Sequence, residues 1–155
     1  MSDEMLTLTL DTGDGTGDVV IRLRPDLAPG HVARIKELAS EGFYDGITFH
    51  RVIDGFMAQG GCPQGTGMGG SDKPDLKAEF NEEPHVRGVC SMARTSDPNS
   101  ANSQFFICLD DATFLDRQYT VWGVVESGME HVDALPKGEP PRNPGKIAKA
   151  TVSEG

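Results

Sequence analysis

Glycine and proline break this chain so often that little room is left for long helices: nineteen glycines and ten prolines stand among 155 residues. Proline lacks the N–H a helix interior needs, and glycine is costly there in backbone entropy. Between the breaks lie short apolar runs rich in β-branched and aromatic residues, at 6–10, 18–23, 47–53, 56–60, 88–93, 103–109, 119–125 and 146–152. Each has the length and bounding turn chemistry of a strand. Only two stretches read as helices. In the first, Pro25 and Pro29 bracket the start, Val32, Ile35, Leu38 and Ala39 recur at spacings of three and four, and Gly42 closes it. The second is "MEHVDAL" (129–135), ended by Pro136. Eight short strands must pair as a sandwich or close into a barrel, because an open sheet leaves unpaired edges. Closure at eight strands gives an interior that side chains just fill, which puts any site on the outer wall and its loops.

The length fits one domain over residues 1–155, large enough to bury about 70% of its unfolded surface. A formal net charge of −10 and the absence of any basic run argue against nucleic acid and anionic membrane as partners. The acidic, interrupted start "MSDEMLTLTLDTGDG" is no signal peptide, and no run of eighteen apolar residues occurs, so a cytoplasmic location is expected. Cys62, Cys90 and Cys108 are odd in number and lack paired spacing, as expected of buried free thiols in a reducing compartment.

Several motifs carry less than they promise. "GTGMGG" (65–70) fits the dinucleotide-binding glycine pattern, but no helix can follow it into "SDKPDL". It is read as a loop within the long aperiodic stretch from Cys62 to Pro84, a length that points to function or disorder. His31, His50, His85 and His131 are scattered, with no ligand spacing and no carboxylate expected beside them, so neither metal nor cofactor is expected. "DPNSANS" (97–103) is turn chemistry rather than a nucleophile motif.

"FHRVIDGFMAQGG" (49–61) is stranger. Strand alternation would set Phe49, Arg51 and Ile53 on one face, a permanent charge between large apolar groups. Phe56, Met57 and Gln59 follow after a turn. In "SQFFICL" (103–109), alternation puts Gln104 with Phe106 and Cys108, and Phe105 with Ile107 on the other face. Both segments then combine apolar groups with a few directional polar ones, the composition of a pocket for a peptide or small molecule.

"FHRVIDGFMAQGG" together with "GVCSMAR…SQFFICLDDATFLDRQYTVWG" closely resembles the cyclophilins, in their bacterial-like form, over about Leu6 to Val152. The resemblance implies a closed eight-stranded antiparallel β-barrel capped by two α-helices. It also implies a peptidyl-prolyl cis–trans isomerase that assists folding, needs no cofactor, and acts as a monomer on proline-containing peptides and unfolded segments. By motif position, Arg51 resembles the catalytic arginine. Phe56, Met57, Phe106 and Leu115 resemble the proline-pocket walls, and Gln59, Ala93, Arg94 and Gln104 the peptide groove. Phe114, Tyr119 and Arg94 depart from the eukaryotic pattern of tryptophan, histidine and asparagine. Phe114 lacks the indole N–H that helps hold cyclosporin, so weak affinity for that drug is expected. A module that binds proline segments without turnover is the alternative reading, and the retained Arg51 favours the enzyme.

Overall fold

The computed structural model describes residues 4–13, 15–63, 65, 69–139 and 141–154. In chain order the elements are β1 (Glu4–Asp11), β2 (Thr16–Leu23), α1 (Pro29–Ser40), β3 (Arg51–Ile53), β4 (Met57–Gly60), β5 (Val89–Met92), β6 (Phe105–Cys108), β7 (Val121–Ser127), α2 (Met129–Asp133) and β8 (Lys146–Glu154), with a 3-10 turn at Thr113–Leu115. Each of the eight anticipated strands and both helices is present.

The strands form one sheet in the order β3-β4-β6-β5-β7-β2-β1-β8, antiparallel at every pairing. Register shifts at Thr9/Leu10, Val20/Ile21 and Cys90/Ser91 mark irregularities of the kind that bend strands and sharpen twist. The sheet curls strongly around a core built from Leu6, Leu8, Leu10, Ile21, Phe105, Ile107 and Trp122. Helix α1 packs against β7 and β8, and α2 against β2.

The expected closed barrel is not what forms. The sheet is an open, curled half-barrel, because its edge strands β3 and β8 do not pair with each other. β3 is only three residues long, and the outward backbone groups of Val52 are already used: its N–H donates to Gly138 O at 2.9 Å and its carbonyl accepts from Gly138 N at 2.8 Å. The free edge of β8 is met instead by the irregular chain before β3. Ile147 N donates to Ile47 O, and Phe49 N donates to Gly145 O, each at 2.8 Å. The connecting "PKGEPPRNPG" (136–145) carries four prolines, and proline has no N–H to give a ladder.

The same irregularity changes which face Phe49 takes. Residues 49 and 50 lie outside β3, so alternation does not run through them; Phe49 and Val52 both enter the main core while Arg51 stays exposed. Alternation does hold in β6. Phe105 and Ile107 face the main core, and Phe106 and Cys108 face a second cluster with Met57, Val89 and Val121 on the outer wall.

In the stretch from Cys62 to Pro84, residues 64 and 66–68, Gly67 of the glycine pattern among them, lie outside the described residues; side chains tie down the described remainder. Glu79 accepts from the Gly30 and His31 backbone N–H groups at 3.1 and 2.8 Å, capping α1, whose own N-cap residue Ala28 offers no side-chain bond. His31 Nδ1 also lies 2.5 Å from Glu79 Oε1, and His85 Nδ1 lies 3.1 Å from Asp116 Oδ1. Two histidines therefore have fixed carboxylates beside them, contrary to the sequence expectation. All three cysteines are buried and in no disulfide, and burial pushes the Cys108 thiol up to about 12. No helix among the described residues is long and apolar enough to cross a membrane.

Candidate active site

The outer wall of β3, β4 and β6 sets the positions of the unusual residues. Arg51 pairs across to Gln59, and Gln59 pairs onward to Phe106. Strand periodicity thus puts the guanidinium, an amide and a phenyl ring side by side across three strands. The Asp54-Gly55 turn, with Gly55 at φ 73°, returns the chain so that Phe56 and Met57 flank Arg51.

Arg51, Phe56, Met57, Gln59 and Phe106 line a hollow of about 140 Å³, completed by Ala93, Arg94, Leu115 and Tyr119. Met57 and Phe106 are buried, at 3% and 5% exposure, so the floor is fixed by core packing. Leu115 arrives on the 3-10 turn, and Tyr119 meets Phe106 edge-on with ring centroids 5.6 Å apart. A second hollow of about 420 Å³ adjoins the first, sharing Gln59, Ala93 and Arg94 and adding Gln104 and the Gly69–Gly70 backbone. The larger hollow does not contain Arg51 and is lined mainly by Gln, Asn, Ser and Thr side chains and glycine backbone.

Two of the anticipated residues lie differently from the rest. Gln104 lines only the second hollow, where its Nε2 donates to Gly69 O at 2.9 Å and its Oε1 accepts from Gln59 Nε2 at 3.0 Å. Gly61, at φ 98°, allows this approach: a Cβ there would come within 2.5 Å of Ser103 O. Phe114 lines neither hollow. It is 67% exposed and leans on Phe56 at 5.6 Å.

Further participants were not visible in the sequence. Arg51 Nε donates to Glu139 Oε1 at 2.8 Å, so this carboxylate orients the guanidinium. Beneath the floor the buried His85 ring stacks on Phe106 at 6.1 Å. Its Nδ1 faces Asp116, and its Nε2 lies 3.1 Å from Ser91 Oγ. Burial holds the His85 pKa below its ordinary value despite Asp116. His50 is also held down, by burial and then by the Arg51 charge, and its buried Nδ1 has no partner among the described residues. Among the described residues no group of three His, Cys, Asp or Glu side chains is placed to hold a metal.

A charged donor facing the apolar walls of Phe56, Met57, Phe106 and Leu115 suits a ligand with a compact ring and a polar atom next to it. Comparison with known proteins settles which family built it. The model of the cyclophilin type peptidyl-prolyl cis-trans isomerase/CLD family matches residues 7–152. The chain belongs to the cyclophilins.

A probable peptidyl-prolyl cis-trans isomerase of Brucella suis is 55% identical, the match covering 88% of this chain and 78% of the relative. Peptidyl-prolyl cis-trans isomerase B of Bacillus subtilis is 45% identical over 78% of this chain and 85% of its own length. Among solved structures, a cyclophilin from Hirschia baltica superposes with a TM-score of 0.86 at 33% identity, covering 96% of this chain and 73% of that one. A Cryptosporidium parvum cyclophilin crystallised in the presence of the dipeptide ala-pro gives 0.87 at 27% identity, covering 97% and 99%. As a cyclophilin, the protein catalyses rotation about Xaa-Pro peptide bonds.

Proposed function

We propose that Arg51 is the catalytic group, acting on a proline ring seated against Phe56, Met57, Phe106 and Leu115. The observation that carries this reading is that the guanidinium and these walls line one hollow. Amide resonance sets a barrier of roughly 18–20 kcal/mol to rotation about the Xaa-Pro bond. Halfway through the rotation that resonance is lost, and the prolyl nitrogen becomes pyramidal with a localised lone pair. It then accepts a hydrogen bond that the planar amide cannot. A donor aimed at it binds the transition state better than either ground state, which is the requirement for catalysis.

Arginine suits the task because it stays charged and carries five N–H donors in a rigid fork. Glu139 takes the Nε–H, leaving the Nη donors for the substrate. The apolar walls exclude water, which would otherwise compete for the guanidinium and stabilise the planar, charge-separated amide. They also hold the ring still while the preceding carbonyl turns, with Gln59 beside its path. One charge-assisted hydrogen bond, at about 1.5–3 kcal/mol, accounts for roughly a 10- to 150-fold acceleration. Orientation and the apolar setting supply the rest. The steps require no nucleophile and no proton transfer.

On this reading Ala93, Arg94, Gln104 and Tyr119 guide the flanking peptide, and Phe114 forms an exposed rim. The substrates are proline-bearing segments of unfolded chains, and the protein acts as a cytoplasmic monomer, the whole chain being one domain. Cyclosporin binds weakly. The test is isomerisation of an Ala-Pro tetrapeptide by wild type and Arg51→Ala, with peptide binding measured in parallel. A large loss of turnover with binding retained supports the assignment; undiminished turnover in the variant overturns it.

A further inference from the structure

Arg94 is a guanidinium held by backbone carbonyls, as Arg34 is, but unlike Arg34 it lines the hollows of the active site. Arg22, Arg24, Arg51, Arg87 and Arg117 each reach an acidic side chain within 4 Å. Arg94 makes no ion pair among the described residues, although the chain carries a net charge of −10. It is nevertheless held firmly. Its Nε and Nη2 both donate to Gln118 O, at 3.1 and 2.7 Å, and Nη1 donates to Thr95 O at 2.8 Å. The guanidinium carbon lies 4.7 Å from the Tyr119 ring centroid and 6.0 Å from that of Phe80. Five N–H donors less these three leave one on each Nη, the number a carboxylate takes up. A positive charge fixed in advance loses little side-chain entropy when it meets an anion.

Its position selects which part of a substrate it meets. Arg94 lines both hollows, together with Gln59 and Ala93. Once a proline ring occupies the smaller hollow with its nitrogen toward Arg51, the chain preceding proline leaves past Gln59 into the region the two hollows share. Asp75, an exposed carboxylate bonded to Asn102 Nδ2, lines only the second hollow, so the favourable field for an anion is confined to the Arg94 side.

We propose that Arg94 makes this isomerase select substrates carrying a carboxylate side chain on the residue before proline. The inference rests on the active-site reading above and adds a substrate class to it. The test compares kcat/KM for tetrapeptides containing Glu-Pro, Gln-Pro, Lys-Pro and Ala-Pro, with wild type, Arg94→Gln and Arg94→Glu. Wild type is expected to favour Glu-Pro over Lys-Pro by about five-fold at low salt, the scale of a partly exposed ion pair. The preference should shrink toward unity at about 1 M salt, where screening acts within roughly 3 Å. Arg94→Gln should flatten the order and Arg94→Glu reverse it. Because the readout is a ratio within each protein, partial loss of folded variant does not affect it. Equal turnover of the Glu, Gln and Lys peptides by wild type, or a preference that survives in Arg94→Gln, overturns the inference. Failure of wild type on Ala-Pro would instead overturn the active-site reading itself.

Discussion

Arg51 Nε donates to the Glu139 carboxylate at 2.8 Å, across 88 residues of sequence. The contact is carried by backbone, since Gly138, the residue before Glu139, exchanges two hydrogen bonds with Val52, the residue after Arg51. The carboxylate therefore sits at a fixed place beside the guanidinium and turns its other nitrogens toward the hollow. Both side chains are about half exposed, so the pair contributes orientation more than stability. Glu139→Ala is expected to lower kcat/KM about two- to five-fold, with Glu139→Gln, which keeps an acceptor oxygen, closer to wild type. An increase in Glu139→Ala would show that the carboxylate competes with substrate instead.

The pH–rate profile should be nearly flat between about pH 6 and about pH 8. Arginine keeps its charge throughout this range, and the mechanism passes no proton. His50 adjoins Arg51 in sequence, but burial and then the guanidinium charge hold its pKa below the ordinary histidine value. A steep titration of kcat/KM in this interval would implicate a base and remove Arg51 from its role.

Phe106 joins two functions, as floor of the hollow and as member of the outer-wall cluster. Phe106→Ala should destabilise the fold by about 3–5 kcal/mol, the usual loss for a buried phenyl group, and also weaken proline binding. Chemical denaturation and KM, measured on the same preparation, read the two effects. A normal KM in folded variant would exclude the ring from the site.

Thermal stability should fall in acid in two stages. Burial lowers the pKa values of His31, His50 and His85 below the ordinary 6.5. For His31 this outweighs Glu79, since protonation would leave a charged ring whose Nε2 has no partner. The unfolded chain then binds more protons than the folded one below 6.5, so stability present above that pH drains away as pH falls toward the folded-state values. Glu79 adds a lower stage. Burial raises its pKa, but the bonds from His31 and Gly30 together hold it beneath 4.5, and that contribution is lost below 4.5. A melting temperature unchanged between about pH 7 and about pH 5, the range in which ordinary histidine titrates, would contradict the buried-neutral assignment.

Phe114 offers no donor, and it projects from the rim beside Phe56. Phe114→Trp should tighten cyclosporin about two- to ten-fold, the worth of one added hydrogen bond, as read by inhibition of Ala-Pro turnover. No gain would exclude the rim from drug contact.

Strand and helix positions were legible in the sequence because apolar runs and turn residues are local signals, and the division of Phe105 from Phe106 followed from alternation alone. Alternation failed at Phe49 because the chain leaves strand geometry one residue before Arg51. Strand number suggested closure but could not reveal that Gly138 already occupies the outer side of Val52. The 3-10 turn bearing Leu115 has no periodicity to read. Glu139 meets Arg51 and Asp116 meets His85 across long stretches of sequence, and no spacing marks either contact.

The proline-bearing connector that keeps the sheet from zipping shut also delivers Glu139 to Arg51. Length changes in this seam would thus retune the guanidinium's aim without altering any residue of the hydrophobic floor, leaving pocket shape and catalytic alignment separately adjustable. A sheet stitched continuously from β8 to β3 would have no slack in which to make that adjustment.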